Sequence, residues 1–235
     1  MGSGYSILFS GADRVNADAD TISFDAKVYD LAGTPVVVKA GYTVRNVETG
    51  TTVCTGRFDT PALRVPSACL PSGEYDISVY LESDTTVQAG RRVVVCRDSD
   101  PKPPVKTPLW ISGLGRMTQS SGPGTQSGCY IAADSQERVR VKVGSAYADS
   151  HIWCQVSDGK GFVSRRWTVV NAENAAVDIP FPPDADRIWV SFSGVRDFDV
   201  RTSELEFVRE RACRSLSVKA ESIRDRLTPG EKTRW

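Results

Sequence analysis

The chain has 235 residues, with 29 Lys+Arg against 29 Asp+Glu, so its net charge is zero, and 40% of it is hydrophobic. That balance argues against nucleic acid or an anionic membrane surface as partner, and no apolar run approaches the roughly 20 residues of a membrane-spanning helix. The length suits two domains of about 100 residues, each able to bury one modest core.

Met1-Gly-Ser-Gly-Tyr5 lacks the basic start and long apolar region of a secretory signal. The first clear pattern follows it, where Ile22, Phe24, Ala26 and Val28 alternate with Ser23, Asp25 and Lys27. This period of two is that of a half-buried strand. Asp30 to Pro35 reads as a turn, with Gly33 suited to positive φ and Pro35 restarting an extended chain. Val36 to Asn46 reads as the next strand, and Glu48-Thr-Gly50 turns the chain into Thr51 to Phe58. After the turn Leu70-Pro-Ser-Gly-Glu-Tyr75, the residues Tyr75, Ile77, Val79 and Leu81 share one face. Val93 to Val95 closes a first antiparallel sandwich over residues 1–97.

Asp98-Ser-Asp-Pro-Lys-Pro-Pro-Val-Lys-Thr-Pro108 follows, with prolines at 101, 103, 104 and 108. Each proline fixes φ, removes a backbone donor and pushes its predecessor toward extended geometry. Residues 98–108 therefore read as a semi-rigid connector. A second sandwich is expected over 109–209. Its Gly- and Ser-rich stretch from Gly113 to Gly128 reads as an exposed loop, within which Arg116 and Met117 are accessible to a protease. Val139, Val141 and Val143 then face inward, Ile152, Cys154 and Val156 resume the alternation, and Ser157 to Gly161 makes a hairpin turn. Strands follow near Arg165–Val170, Val177–Phe181, Ile188–Phe192 and Leu205–Val208, with Pro180, Pro182 and Pro183 marking an edge or loop. No stretch shows a capped 3.6-residue period. The fold class is all-β, a tandem of antiparallel β-sandwiches joined by the proline-rich connector. Residues 210–235 are too few for a further domain; either they dock on the second module or, as we read them, they start a third in a piece of a longer multidomain chain.

Six cysteines stand at 54, 69, 96, 129, 154 and 213, none in a Cys-x-x-Cys pair, and the chain has a single histidine. A zinc site does not fit that inventory. An even, widely spaced set in a β-rich chain suggests an oxidising compartment. Cys54 and Cys69 are the candidate disulfide, closing a short loop within the first module, although small buried thiols remain the alternative reading.

No catalytic constellation is visible. His151 alternates outward on its strand with no Gly-x-Ser-x-Gly elbow near it. Asp13, Asp18 and Asp20 lack the glycine and terminal glutamate of a calcium loop. No phosphate or dinucleotide fingerprint occurs, so neither an enzyme nor a cofactor is expected. The tryptophans Trp110, Trp153, Trp167, Trp189 and Trp235 admit two readings, a sugar-binding face or packing at inter-domain contacts. Arg165 and Arg166 beside Trp167 suit a cation–π contact or carboxylate pairing.

Three stretches resemble one family, the large bacterial alpha-2-macroglobulin-like proteins, especially those of Bacteroidetes type. Lys102-Pro-Pro-Val-Lys-Thr-Pro-Leu-Trp110 resembles their inter-domain connector. Val143-Gly-Ser through Asp149 to Arg165-Arg-Trp167, then Ile179-Pro-Phe181, follows the order of their strand and loop motifs. Glu221-Ser-Ile-Arg-Asp-Arg-Leu-Thr-Pro-Gly-Glu-Lys-Thr-Arg-Trp235 resembles the entry to a following macroglobulin-type domain. The resemblance implies a non-catalytic scaffold segment of a protease trap, an endopeptidase inhibitor in which a bait cut rearranges the domains. Its partners would be proteases and the neighbouring domains of the same chain, in the periplasm, at the cell envelope or secreted from a bacterium. The family's thioester motif Cys-Gly-Glu-Gln is missing, since Cys154-Gln155-Val156 lacks the intervening residues. The alternative function is a cell-surface adhesion or glycan-binding tandem.

Overall fold

The computed structural model describes residues 4–112, 128–131 and 138–209. The loop residues Arg116 and Met117, the segment 210–235 and Trp235 lie outside them. Apart from one 3-10 turn, the regular structure among the described residues is all strand, arranged as two sandwiches in tandem.

In the first sandwich one sheet holds β1 (Tyr5–Ser10), β3 (Thr21–Asp30), β4 (Pro35–Val36) and β7 (Ala62–Pro66). The facing sheet holds β2 (Arg14–Asn16), β5 (Lys39–Asn46), β6 (Thr52–Asp59), β8 (Gly73–Leu81) and β9 (Gln88–Cys96), in the order β2-β9-β8-β5-β6. Their inward residues form one core, in which Ile22, Phe24, Leu63 and Val65 meet Val44, Tyr75, Ile77 and Val93. The expected alternation in β3 is present, with Ile22, Phe24, Ala26 and Val28 all buried. A buried phenol needs a partner, and Tyr75 Oη donates to the Pro71 carbonyl at 2.7 Å.

The second sandwich sets β10 (Trp110–Ser112), β12 (Arg138–Gly144) and β15 (Asn174–Pro180) against a five-stranded sheet. That sheet comprises β11 (Gly128–Ile131), β13 (Ser150–Ser157), β14 (Phe162–Val170), β16 (Arg187–Arg196) and β17 (Asp199–Arg209), in the order β11-β17-β16-β13-β14. Val141, Val143, Ile152, Cys154, Ile179, Ile188, Phe192 and Phe207 lie in its core. Among the described residues no strand pairing joins one sandwich to the other.

Three details differ from the sequence reading. The single strand expected over 36–46 is two, because the chain leaves one sheet at Val36 and enters the facing one at Lys39. Thr60 marks the crossing, since its hydroxyl accepts from Val38 N at 3.0 Å and its own N–H donates to Val38 O at 3.1 Å. The pairing is also not purely antiparallel, because β2 runs parallel to β9 and β11 parallel to β17. Finally, β1, β2 and β7 were not expected, being short or only partly buried.

The hairpin joining β16 to β17 closes between Arg196 and Asp199. Its two central residues, Asp197 and Phe198, have φ of 46° and 68°, the left-handed geometry that usually selects Asn-Gly. A left-handed L-residue costs about 1–2 kcal/mol, and Phe198 is 103% exposed, so no packing offsets that cost. Replacing Phe198 with glycine relieves it, at the expense of a more flexible unfolded chain. The expected net gain is roughly 0.5–1 kcal/mol, read as a higher midpoint in urea denaturation.

Candidate functional site

Three places concentrate polar, aromatic or reactive side chains: the joint between the sandwiches, a thiol pair on the first, and an aromatic face on the second.

The joint is built around the proline connector. Arg14 on β2 lays its guanidinium over Trp110, 3.8 Å from the ring centroid, and donates from Nη2 to the Ile111 carbonyl at 2.5 Å. Trp110 is 8% exposed, so this cation–π contact is largely shielded from water, where it is strongest. At the connector's start, Arg97 donates to the carbonyls of Ser67 and Leu70 at 3.1 and 3.0 Å. The Asp100 carboxylate accepts from Arg97 N at 2.7 Å and from Ser72 Oγ at 2.7 Å. The second sandwich holds the other side, since Asn174 Nδ2 donates to Asp100 O at 3.0 Å and Asn174 N to Pro101 O at 2.8 Å. Lys142 Nζ donates to the Asp98 carbonyl, and Ala146 N to Thr107 O at 2.9 Å. Pro103 and Pro108 are buried. A Cβ at Gly194 on β16 would lie 2.6 Å from the Pro108 carbonyl oxygen, so glycine there lets the connector's end lie on the sheet.

The thiol pair joins edge strand β6 to the 3-10 turn Ser67–Cys69. Cys54 and Cys69 are both half-buried against the first core, and Cys54 is near enough to act on the Cys69 thiol. That interaction pushes the Cys69 thiol up from its ordinary range. Tyr42 on β5 completes the group, its hydroxyl 3.6 Å from Cys54 Sγ. Gly56 makes room for it, because a Cβ there would come within 2.6 Å of the Tyr42 ring. Burial, and then the bond to Cys54, push the Tyr42 phenol up to about 12. Cys154 stands apart in the second core, where burial raises its thiol pKa. The four described cysteines, Cys54, Cys69, Cys96 and Cys154, carry free thiols.

The aromatic face is the outward side of the five-stranded sheet. Directly opposed residues of neighbouring strands point to the same side, and one row runs Trp167, Trp153, Ser193, Thr202 across β14, β13, β16 and β17. The indoles of Trp153 and Trp167 lie 5.0 Å apart at 55°, and His151 meets Trp167 edge-on at 6.5 Å. Trp167 is 61% exposed and Trp189, on the same face, 38%. Asp149, Ser150, His151, Ser193, Val195 and Arg196 join the two indoles around a cleft of about 270 Å³. The two readings of the tryptophans are thus divided among them: Trp110 packs in the joint, while Trp153, Trp167 and Trp189 face outward.

The remaining candidates, His151 of the cleft apart, serve structure. Asp13 pairs with Arg91 at 2.5 Å, and Asp18 accepts from Asp98 N at 3.1 Å. The Asp20 carbonyl accepts from Ser67 N at 3.0 Å. His151 Nε2 lies 3.5 Å from Asp149 Oδ1 at the surface. Arg165 stacks on Phe162 at 3.4 Å rather than on Trp167. Among the described residues no cluster of three or more His, Cys, Asp or Glu is placed to hold a metal. No helix among them is long and apolar enough to cross a membrane. Arg14, Arg97 and Asn174 were missed from sequence, because nothing in their neighbourhoods marks a partner so distant along the chain.

No protein-family model matches this chain, and no curated protein matches it. Among solved structures it is similar to the native conformation of E. coli alpha-2-macroglobulin, at 10% identity and a TM-score of 0.36, over 89% of this chain and 14% of that one. It is similar to Salmonella alpha-2-macroglobulin reacted with methylamine, at 12% identity and a TM-score of 0.34, over 89% and 15%. A third is E. coli alpha-2-macroglobulin activated by porcine elastase, at 11% identity and a TM-score of 0.32, over 88% and 20%. The chain therefore spans 14 to 20% of the length of the structures it matches. Similarities this slight assign no family.

The joint and the thiol pair each carry a prediction. Arg14→Ala removes both the stacking on Trp110 and the bond to Ile111, weakening the coupling of the sandwiches by about 1–3 kcal/mol. The expected readout is a red-shifted, more acrylamide-quenchable emission with unchanged far-ultraviolet dichroism. Arg14→Lys restores the charge but not the planar stacking. Because the Tyr42 pKa is raised in the folded state, its contribution to stability is complete below pH 10 and lost as pH rises toward about 12. In an alkaline titration its phenolate absorbance should appear as a late component near pH 12, and Tyr42→Phe should remove that component.

Proposed function

We propose that the chain is a non-catalytic scaffold segment of an alpha-2-macroglobulin-like protease trap. In this reading residues 1–97 and 109–209 are two rigid sandwich domains, 98–108 is their connector, and 210–235 begins a third domain. The observation that carries the reading is the joint. Ser72 and Arg97 on one side and Lys142 and Asn174 on the other bind the connector, and Arg14 reaches past it to Ile111 of the second sandwich, as a segment transmitting a rearrangement at a fixed angle requires. The sequence resemblance at the connector, at the second-module motifs and at 221–235 supports it further. Proteases are partners of the full-length protein, through a bait that Arg116 and Met117 are candidates to mark, and the adjoining macroglobulin-type domains are partners within the chain.

The same reading sets the chain outside the cytoplasm of a bacterium, where Cys54 and Cys69 form a disulfide. The two thiols give up two protons and two electrons to a disulfide-exchanging oxidant, whose own disulfide is reduced to two thiols. Non-reducing digestion followed by mass spectrometry of extracytoplasmic protein should find the peptides of Cys54 and Cys69 linked. Free thiols at both positions would remove this support for the compartment.

The trap itself is tested with the full-length protein carrying this segment. Mixed with an endopeptidase, it should abolish cleavage of a large protein substrate while sparing cleavage of a small chromogenic peptide. Arg14→Ala should lower the trapped fraction. Undiminished cleavage of the large substrate would overturn the proposal.

A further inference from the structure

We propose that the cleft beside Trp153 and Trp167 is a binding site for a neutral sugar, a mono- or disaccharide unit of a hexose polysaccharide. The argument starts from the row of side chains across the sheet. Two indoles on β14 and β13 are followed at once by Ser193 and Thr202 on β16 and β17. Ser191, opposite Gln155 and Glu204, lies next to Ser193 on the same face. Bulk falls abruptly from tryptophan to serine, leaving a step with an aromatic wall and a hydroxyl-bearing floor. Val195, which is exposed, and Arg196 bound one end of the step, while His151 and Asp149 stand beside the indoles.

That combination matches the two-sided chemistry of a pyranose. Its axial C–H groups form an apolar patch that stacks on an indole, and its equatorial hydroxyls need donors and acceptors at the ring's edge. Asp149 supplies an acceptor, Arg196 a donor, and His151 and Ser193 either one. The formal charges of the lining residues Asp149 and Arg196 are of opposite sign, and Arg196 also faces Asp197 at 3.5 Å, so the lining carries no excess of positive charge to select an anionic ligand. About 270 Å³ lies just below the roughly 300–1,000 Å³ of pockets for drug-sized ligands, which limits the occupant to one or two sugar units. A folded protein partner typically covers about 800 Å² per side, far more than this cleft offers. The site is independent of the trap reading, since none of its residues belongs to the joint.

The test uses the whole chain and a panel of neutral cello-, malto- and manno-oligosaccharides, followed by tryptophan emission and calorimetry, with heparin as the anionic control. At least one neutral series should bind saturably. Trp167→Ala and Trp153→Ala should each weaken that binding at least about tenfold, the factor that 1.4 kcal/mol represents. Trp167 is mostly exposed, so its loss leaves the core intact, and Trp167→Tyr should keep part of the affinity. Trp189→Ala, on the same face but outside the cleft, should leave it unchanged. Binding of heparin alone, no saturable binding in any neutral series, or equal binding by Trp167→Ala and the parent chain would each overturn the proposal. The cleft variants should leave protease trapping by the full-length protein unaltered, which separates failure here from failure of the scaffold reading.

Discussion

A connector with four prolines can donate few backbone hydrogen bonds, yet each of its carbonyls still needs an acceptor's partner. The arrangement of the two sandwiches follows from that asymmetry. Asp98, Asp100, Pro101 and Thr107 all offer carbonyl oxygens, and Lys142, Asn174 and Ala146 of the second sandwich supply the donors. At the connector's start the pattern differs: Arg97 donates to the Ser67 and Leu70 carbonyls of the first sandwich, and the Asp100 carboxylate accepts from Ser72 Oγ. A stiff spacer in solvent would leave the sandwiches free to swing. This connector is instead sewn into both, and Pro103 and Pro108 are buried as a result.

Reactivity and exposure are distributed unevenly about that joint. The first sandwich carries the interacting thiols and Tyr42 beneath its edge strand. The second carries the open aromatic face, and its buried thiol, Cys154, is shielded within the core. Acidic residues near the start, which resemble an ion site in composition, are occupied by Arg91 and by backbone donors. Side-chain polarity in this molecule mostly fixes geometry.

Strand periodicity made much of the architecture legible in advance. The runs from Ile22 to Val28, from Tyr75 to Leu81 and from Ile152 to Val156 bury the residues their alternation predicts. What alternation cannot reveal is a change of sheet within a continuous apolar run. Val36-Val-Val38 looks like strand throughout, although the chain crosses the sandwich there. Short edge strands such as β2 are equally silent, since three residues cannot display a period. The joint was half visible. The prolines announced a connector, but Arg14 lies 97 positions from its acceptor, and only the closed fold brings them together. The outward direction of Trp153 followed from its alternation with Ile152 and Cys154, whereas its contact with Trp167 depends on the register between β13 and β14.

The position of Trp110 has an optical corollary. Every tryptophan of the chain stands at position 110 or later, while the first sandwich absorbs through tyrosines such as Tyr29, Tyr42, Tyr75 and Tyr80. The two halves therefore differ in colour. Among the described residues the indoles all belong to the second sandwich, and of these Trp110 meets a residue of the first through the Arg14 guanidinium. The molecule thus carries its own label at the seam, placed where loss of contact between the halves would change its surroundings before either core had melted.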